Sequence, residues 1–154
     1  GSAELLPAIG VFEGLRDLLQ IKSIVLEETA VFRSHAGALE MLRDFEGFGR
    51  KAVVCGDMLE LGHEAEWAHR QIGKFLAAAG FHFVIAAGPA CRFLVDEALK
   101  CGYNPKKIYW VEDSAEAGSQ CRRLAEAGDC ILVKGSRSTR MEKVFECFTA
   151  CSTR

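Results

Sequence analysis

Two short stretches of this 154-residue chain hold the residues best suited to chemistry. One is Leu132-Val133-Lys134-Gly135-Ser136-Arg137-Ser138-Thr139-Arg140-Met141-Glu142, where an apolar run passes into a loop carrying Lys134, Ser136, Arg137 and Arg140. The other is Gly56-Asp57-Met58-Leu59-Glu60-Leu61-Gly62, with His69 following. Arg presents a planar fork of donors that matches carboxylate or phosphate. Asp57 and Glu60 supply the opposite sign. An edge with both signs suits a zwitterion such as an amino acid or peptide: carboxylates hold the amine, and Lys or Arg holds the carboxylate. The competing explanations are ordinary ones. Charged loops are often only solvated, and a histidine bordering an apolar stripe, as His69 does, is more often a packing or capping residue.

The elements around these stretches alternate regularly. Apolar runs over 21–26, 52–55, 83–87, 108–111 and 130–133 read as buried strands. Between and after them lie amphipathic helices. The first is expected over 34–45, with Ala38, Met41, Leu42 and Phe45 on one face. The second, over 64–79, buries Ala68, Ile72, Phe75, Leu76 and Ala79 and ends at Gly80. The third opens with Pro89 at its first position, buries Cys91, Leu94, Val95, Ala98 and Leu99, and closes at Gly102. The fourth is capped by Asp113 or Ser114, buries Cys121, Leu124 and Ala125, and ends at Gly128. The last starts near Met141, with Met141, Val144, Phe145 and Phe148 inward. Apolar strands alternating with helices imply an α/β, Rossmann-like three-layer sandwich, its mostly parallel sheet covered on both faces. Residues 1–20, punctuated by Pro7, Gly10 and Gly14, read as a tag remnant and linker, with an optional edge strand, ahead of one domain over 21–154. All strand-end loops then fall on one edge, so Glu27-Glu28-Thr29, Gly56-Asp57, Gly88, Glu112-Asp113 and Lys134 to Arg137 should cluster there.

Several function classes are disfavoured. A net charge of -2 argues against a general nucleic-acid binder. No apolar run approaches the ~20 residues of a membrane span, and the expected compartment is the cytoplasm. Seven cysteines without a C-x-x-C pair fit small buried thiols in a reducing environment. In His63-Glu64-Ala65-Glu66-Trp67, Trp67 stands where a zinc helix needs its second histidine, so no metal site is expected. The phosphate loop G-x-x-x-x-G-K-[ST], the dinucleotide fingerprint and the G-x-S-x-G elbow are all absent. The opening Gly1-Ser2 looks like a cloning remnant, and the expectation is a piece of a longer chain.

The Gly56-to-Gly62 string followed by His69 resembles a signature of the C-terminal domain of MurF-type Mur ligases, the UDP-N-acetylmuramoyl-tripeptide:D-alanyl-D-alanine ligases. Val133-Lys134-Gly135-Ser136-Arg137 with Met141-Glu142 resembles the second signature of that domain, in the family's order. The resemblance spans roughly 20–150. It implies an enzyme of three domains: one for the UDP-sugar peptide, a central ATPase with the phosphate loop, and this Rossmann-like domain. ATP, with Mg2+, is bound mainly by the central domain and activates a carboxylate as an acyl phosphate, which the amine of D-Ala-D-Ala attacks. On this resemblance Asp57, Glu60, His69, Lys134, Ser136 and Arg137 are substrate-binding candidates, Glu27, Glu28 and Thr29 lie on the nucleotide side, and the chain itself contributes no catalytic residue. The implied partners are UDP-MurNAc-peptide, D-Ala-D-Ala and the two other domains of the same chain, with neither nucleic acid nor membrane.

One stretch departs from the family. Where it usually reads D-D-[ST]-Y-N-A-N-P after the first strand, this chain reads Glu27-Glu28-Thr29-Ala30-Val31-Phe32-Arg33-Ser34-His35. The acidic pair and Thr29 persist in character, and the rest does not. Two functions follow as expectations. One is the C-terminal domain of an ATP-dependent amide ligase of peptidoglycan synthesis, inactive alone. The other is a non-catalytic binding or regulatory module derived from such a ligase. Arg137→Ala and Asp57→Ala are both expected to cut turnover of the full-length protein while leaving the domain folded.

Overall fold

A computed structural model describes residues 10–11, 23–27, 32–44, 49–59, 61–135 and 137–152. Six strands form one sheet: β1 (Gly10–Val11), β2 (Ser23–Glu27), β3 (Lys51–Gly56), β4 (Phe83–Ala87), β5 (Ile108–Val111) and β6 (Cys130–Lys134). Their order across the sheet is β1-β2-β6-β3-β4-β5. Every pairing from β2 to β5 is parallel, and β1 lies antiparallel on β2. Among the described residues the helices are α1 (Phe32–Asp44), α2 (Ala65–Ala79), α3 (Cys91–Lys100), α4 (Ser114–Leu124) and α5 (Lys143–Ser152). Two residues of the expected linker thus add an edge strand. The rest of that stretch, residues 1–9 and 12–20, lies outside the described residues.

Strand alternation divides the core into two layers. Val53, Cys55, Val84, Ala86 and Leu132 pack with Leu39, Leu42, Ala68, Ile72, Leu76, Leu94 and Ala98 of α1, α2 and α3. Ala52, Val54, Phe83, Ile85, Ile131 and Val133 pack with Ala117 and Cys121 of α4 and with Val144 and Phe145 of α5. This is the expected three-layer sandwich. The described cysteines are free thiols, and Cys55, Cys91, Cys121 and Cys130 are buried among the apolar residues.

Some boundaries and faces differ from expectation. Met41 is 44% exposed while Leu39 is buried, so the apolar stripe of α1 is Ala38, Leu39 and Leu42. Phe45 lies outside the described residues, as does the side chain of Phe148. Leu99 is also exposed, and Leu124 and Ala125 are only partly buried. Pro89 precedes the N-cap of α3, Ala90, rather than opening the helix. Helix α4 ends at Leu124, and Gly128 instead sits in the turn before β6 with φ +88. Asp113 is the N-cap of α4 and accepts from the Glu116 N–H. A 3-10 turn, Arg137–Thr139, precedes α5, which starts at Lys143 rather than Met141.

The amino-terminal edge of the sheet is tied by Arg50. Its guanidinium donates to both carboxylate oxygens of the buried Asp129, each at 2.8 Å, and to the Leu124 carbonyl. It also lies 2.8 Å from His82 Nε2. Since arginine only donates, that nitrogen must accept and His82 is neutral here. Burial, and after it the charge of Arg50, hold the His82 pKa below its ordinary value. A base with a depressed folded-state pKa contributes stability above its unfolded value, about 6.5, and loses it as pH falls below that value toward the folded one. The thermal midpoint is therefore expected to fall between pH 7.5 and 5.5. His82→Asn should flatten that slope, and an unchanged slope would remove His82 as its source.

Candidate functional site at the carboxyl edge of the sheet

The pairing register sets the strand ends level. Glu27 of β2 stands opposite Lys134 of β6, and Lys134 opposite Cys55 of β3. Gly56 then pairs with Ala87, and Ala87 with Val111. Strand β6 runs between β2 and β3. The chain leaves β2 and β3 toward helices on one face and leaves β6 toward α5 on the other, which opens a crevice beside Lys134, where ligands bind in such sheets.

The two singled-out loops meet there. A Cβ on Gly56 would lie 2.9 Å from Met141 Sδ and 3.1 Å from Thr139 Oγ1; one on Gly135 would lie 2.5 Å from Met141 Cγ and 2.8 Å from the same Thr139 oxygen. Met141 is buried and is gripped by both glycines. Distant in sequence, the two stretches thus form one packed unit.

Within that unit the polar residues divide by role. Asp57 is buried, and its carboxylate turns toward α3, accepting the Cys91 N–H at 2.8 Å and the Ala90 N–H at 3.2 Å. Those are orphan donors of a helix start, where negative charge is favoured. Gly88 lies against that carboxylate: with φ +115 and a virtual Cβ 2.6 Å from Asp57 Oδ1, the position admits only glycine. His69 is fully buried. Its Nε2 accepts the Met58 N–H at 3.0 Å, so Nδ1 carries the hydrogen and donates to the Ala65 carbonyl at 2.7 Å. Asp57 and His69 therefore hold the 56–58 loop from beneath. Lys134 is 1% exposed and continues the Cys130–Leu132 face of β6 toward the α1 to α3 layer. Arg137 opens the 3-10 turn, and Arg140 beyond it is exposed with φ 54, a left-handed conformation rare for a side-chain-bearing residue. Glu60, Ser136, Glu28 and Thr29, and the side chains of Glu27 and Arg137, lie outside the described residues.

Asp57, His69 and Cys91 bring ligand atoms within 4.8 Å of one another, close enough to share a metal ion. The His69 lone pair is already spent on Met58. Hydrogen bonding with Cys55, and then burial, push the Cys91 thiol well above the usual range, so it stays protonated. The trio works as a hydrogen-bonded bracket. A hollow of about 300 Å³ lined by Arg43, Arg50, Lys51 and His82 lies at the opposite edge of the sheet. Among the described residues no helix is long and apolar enough to cross a membrane.

The chain resembles known proteins in sequence and in fold. The family model described as "Mur ligase, glutamate ligase domain" matches residues 32–137. The UDP-N-acetylmuramoyl-tripeptide--D-alanyl-D-alanine ligase of Escherichia coli is 33% identical over 116 residues, covering 72% of this chain and 23% of that protein. Its Bacillus subtilis counterpart is 29% identical over 111 residues, covering 72% and 24%. The chain thus spans about a quarter of the length of these curated relatives. Among solved structures, the MurF ligase of Thermotoga maritima in complex with ADP superposes with a TM-score of 0.66 at 24% identity, over 86% of this chain and 30% of that one. MurF of Acinetobacter baumannii gives 0.67 at 23%, over 82% and 28%. These likenesses establish the shared fold.

Proposed function

The chain belongs to the Mur ligase family, as its glutamate ligase domain, and from that premise we propose that it is the C-terminal domain of a MurF-type ligase, residues 1–20 linking it to the domains that such a ligase carries upstream. The reaction assigned to the parent protein joins D-Ala-D-Ala to UDP-MurNAc-tripeptide in the cytoplasm, with ATP and Mg2+ held mainly by a central ATPase domain. The observation that carries the proposal is the packing of the two signature loops around Met141 through Gly56 and Gly135. In this reading the Lys134-to-Arg140 cations and the Gly56-to-Gly62 loop share one edge, whose two signs of charge suit the amine donor and the phosphates.

In this reading the residues act at two levels. Ser136, Arg137 and Glu60 meet the substrate or the phosphates, with Glu27, Glu28 and Thr29 on the nucleotide side, and the buried Lys134 supplies its charge from the strand end beneath them. Asp57 and His69 are positioning residues, since their polar atoms bind the 56–58 and 88–91 backbones. ATP, when bound, supplies the phosphoryl group that activates the acceptor carboxylate. Closure of this domain over the ATPase domain brings the amine to that carboxylate and excludes water. Alone, the domain is expected to form no amide, since it lacks a phosphate loop.

The test is a ligation assay on the full-length parent, supplied with UDP-MurNAc-tripeptide, D-Ala-D-Ala and ATP, following phosphate release together with product mass. Product is expected. Lys134→Ala and Arg137→Ala should each lower kcat/KM by roughly 10²-fold. Wild-type kcat/KM in both variants would overturn the site assignment. Parent protein that binds ATP yet ligates no amino acid or dipeptide would overturn the ligase reading and leave the non-catalytic module that the altered 27–35 stretch suggests.

A further inference from the structure

One arginine at the carboxyl edge stands apart from the site described so far. Arg92, in the first turn of α3, places its guanidinium 3.6 Å from the centroid of the Trp110 ring. This is the stacked arrangement in which arginine is held by the π face while its N–H edges stay available. Both halves of the stack are fixed. The Trp110 Nε1–H donates to the Gly88 carbonyl at 2.7 Å, which locks the ring. Gly88 in turn donates from its N–H to the Val111 carbonyl and lies against Asp57. The backbone just before Arg92 is pinned by the Asp57 carboxylate at Ala90 and Cys91. The Asp57 bracket therefore extends through Gly88 and Trp110 to Arg92.

Two other arginines of the domain are held in ion pairs. Arg50 holds Asp129, and Arg70 holds Glu66, Asp96 and Glu97. Among the described residues no carboxylate lies within ion-pair distance of Arg92, and Asp96, one turn along α3, is taken by Arg70 and Lys100. The stack also lies beside a point where connections diverge: the chain leaves β4 toward α3 on one face and leaves β5 toward α4 on the other, a topology at which ligands bind in such sheets.

We infer that Arg92, carried on Trp110, is a carboxylate-binding residue that selects the free C-terminus of the incoming amino substrate. The inference rests on the ligase reading above. A guanidinium fork pairs two oxygens at once, so it distinguishes a carboxylate from its neutral amide, and preorganisation on the ring lowers the entropy lost on binding. A nucleotide phosphate offers the same oxyanion chemistry, and the kinetic constants separate the two.

The experiment uses the full-length parent and compares wild type, Arg92→Ala, Arg92→Lys and Trp110→Phe. D-Ala-D-Ala and D-alanyl-D-alaninamide are the competing amine donors. Arg92→Ala is expected to raise KM for D-Ala-D-Ala about 10- to 100-fold, the range for a lost charge-assisted hydrogen-bond pair, with KM for ATP unchanged. Its preference for the acid over the amide should collapse by a similar factor. Arg92→Lys should restore only part, since it keeps the charge and loses the fork. Trp110→Phe should fall between, keeping a ring and losing the Gly88 hydrogen bond. Matching thermal midpoints confirm that the exposed Arg92 variants fold. Acid-to-amide preference at the wild-type value in Arg92→Ala, or a rise confined to KM for ATP, overturns the inference and leaves the ligase reading standing. A parent that ligates no amine donor overturns that reading, and this inference with it.

Discussion

Asp57→Ala is expected to lower the thermal midpoint of the domain by roughly 5–15 °C, from a loss of about 2–4 kcal/mol. The carboxylate is 5% exposed and takes two backbone N–H groups at the start of α3. Alanine leaves both donors without this acceptor, the Cys91 N–H buried and the Ala90 N–H partly so. It also removes a negative charge from a helix amino terminus, worth roughly 0.3–1 kcal/mol. Asp57→Asn separates these contributions. Its amide keeps the shape but turns one N–H group toward a backbone N–H, so an intermediate loss is expected. In the full-length ligase, kcat/KM should fall by about 10²-fold, the cost of a misplaced site, because the same carboxylate positions Gly88 and the 56–58 loop. The expectation drawn from sequence, that this variant would cut turnover and leave the domain folded, is therefore amended to include a loss of stability in the folded domain. A midpoint within 1 °C of wild type would show that the carboxylate does not hold α3.

That revision shows what the sequence could reveal. The Gly56-to-Gly62 string marks a loop at a strand end, and the apolar run before it points to the strand. Which way Asp57 turns depends on α3, whose amino terminus comes alongside only when β4 pairs with β3. His69 is similar. Its sequence position beside Ile72 suggested a packing role, and the structure supplies a partner, the Met58 N–H, from the preceding loop. The α1 face shows the same limit at lower stakes. Ala38 and Leu42 belong to both possible stripes, and only packing against the sheet decides that Leu39 rather than Met41 completes it. Gly80 was readable because helix termination is local, and it sits at the C-cap with φ 69. Arg92 and Trp110 carried no signal at all, since they lie on separate elements and neither belongs to a motif.

The largest effect on stability is expected from Gly73→Val. Helices α2 and α3 cross so closely that a Cβ on Gly73 would lie 2.4 Å from the Leu94 carbonyl oxygen, 3.0 Å from Glu97 Cβ and 3.1 Å from the Ala98 N. Two of these are backbone atoms of α3, so no side chain can rotate out of the way. Alanine should already cost about 1–3 kcal/mol through overpacking, despite the gain of roughly 0.5–1 kcal/mol that alanine brings to a helix interior. Valine adds two methyl groups to the same contact, and a loss above about 4 kcal/mol is expected, enough to lower the midpoint by roughly 10 °C or more. Gly37 of α1 is the matched control. Its virtual Cβ meets nothing within 4 Å, so Gly37→Ala should raise stability by roughly 0.5–1 kcal/mol. Opposite signs at two helical glycines would trace the effect to the α2–α3 crossing rather than to glycine chemistry. The consequence reaches the site, because α3 carries both the donors that Asp57 caps and the Arg92 stack. Gly73→Ala should therefore lower kcat/KM in the full-length enzyme although the residue is remote from the crevice. Unchanged activity together with a lowered midpoint would mean that α3 yields without moving its amino terminus.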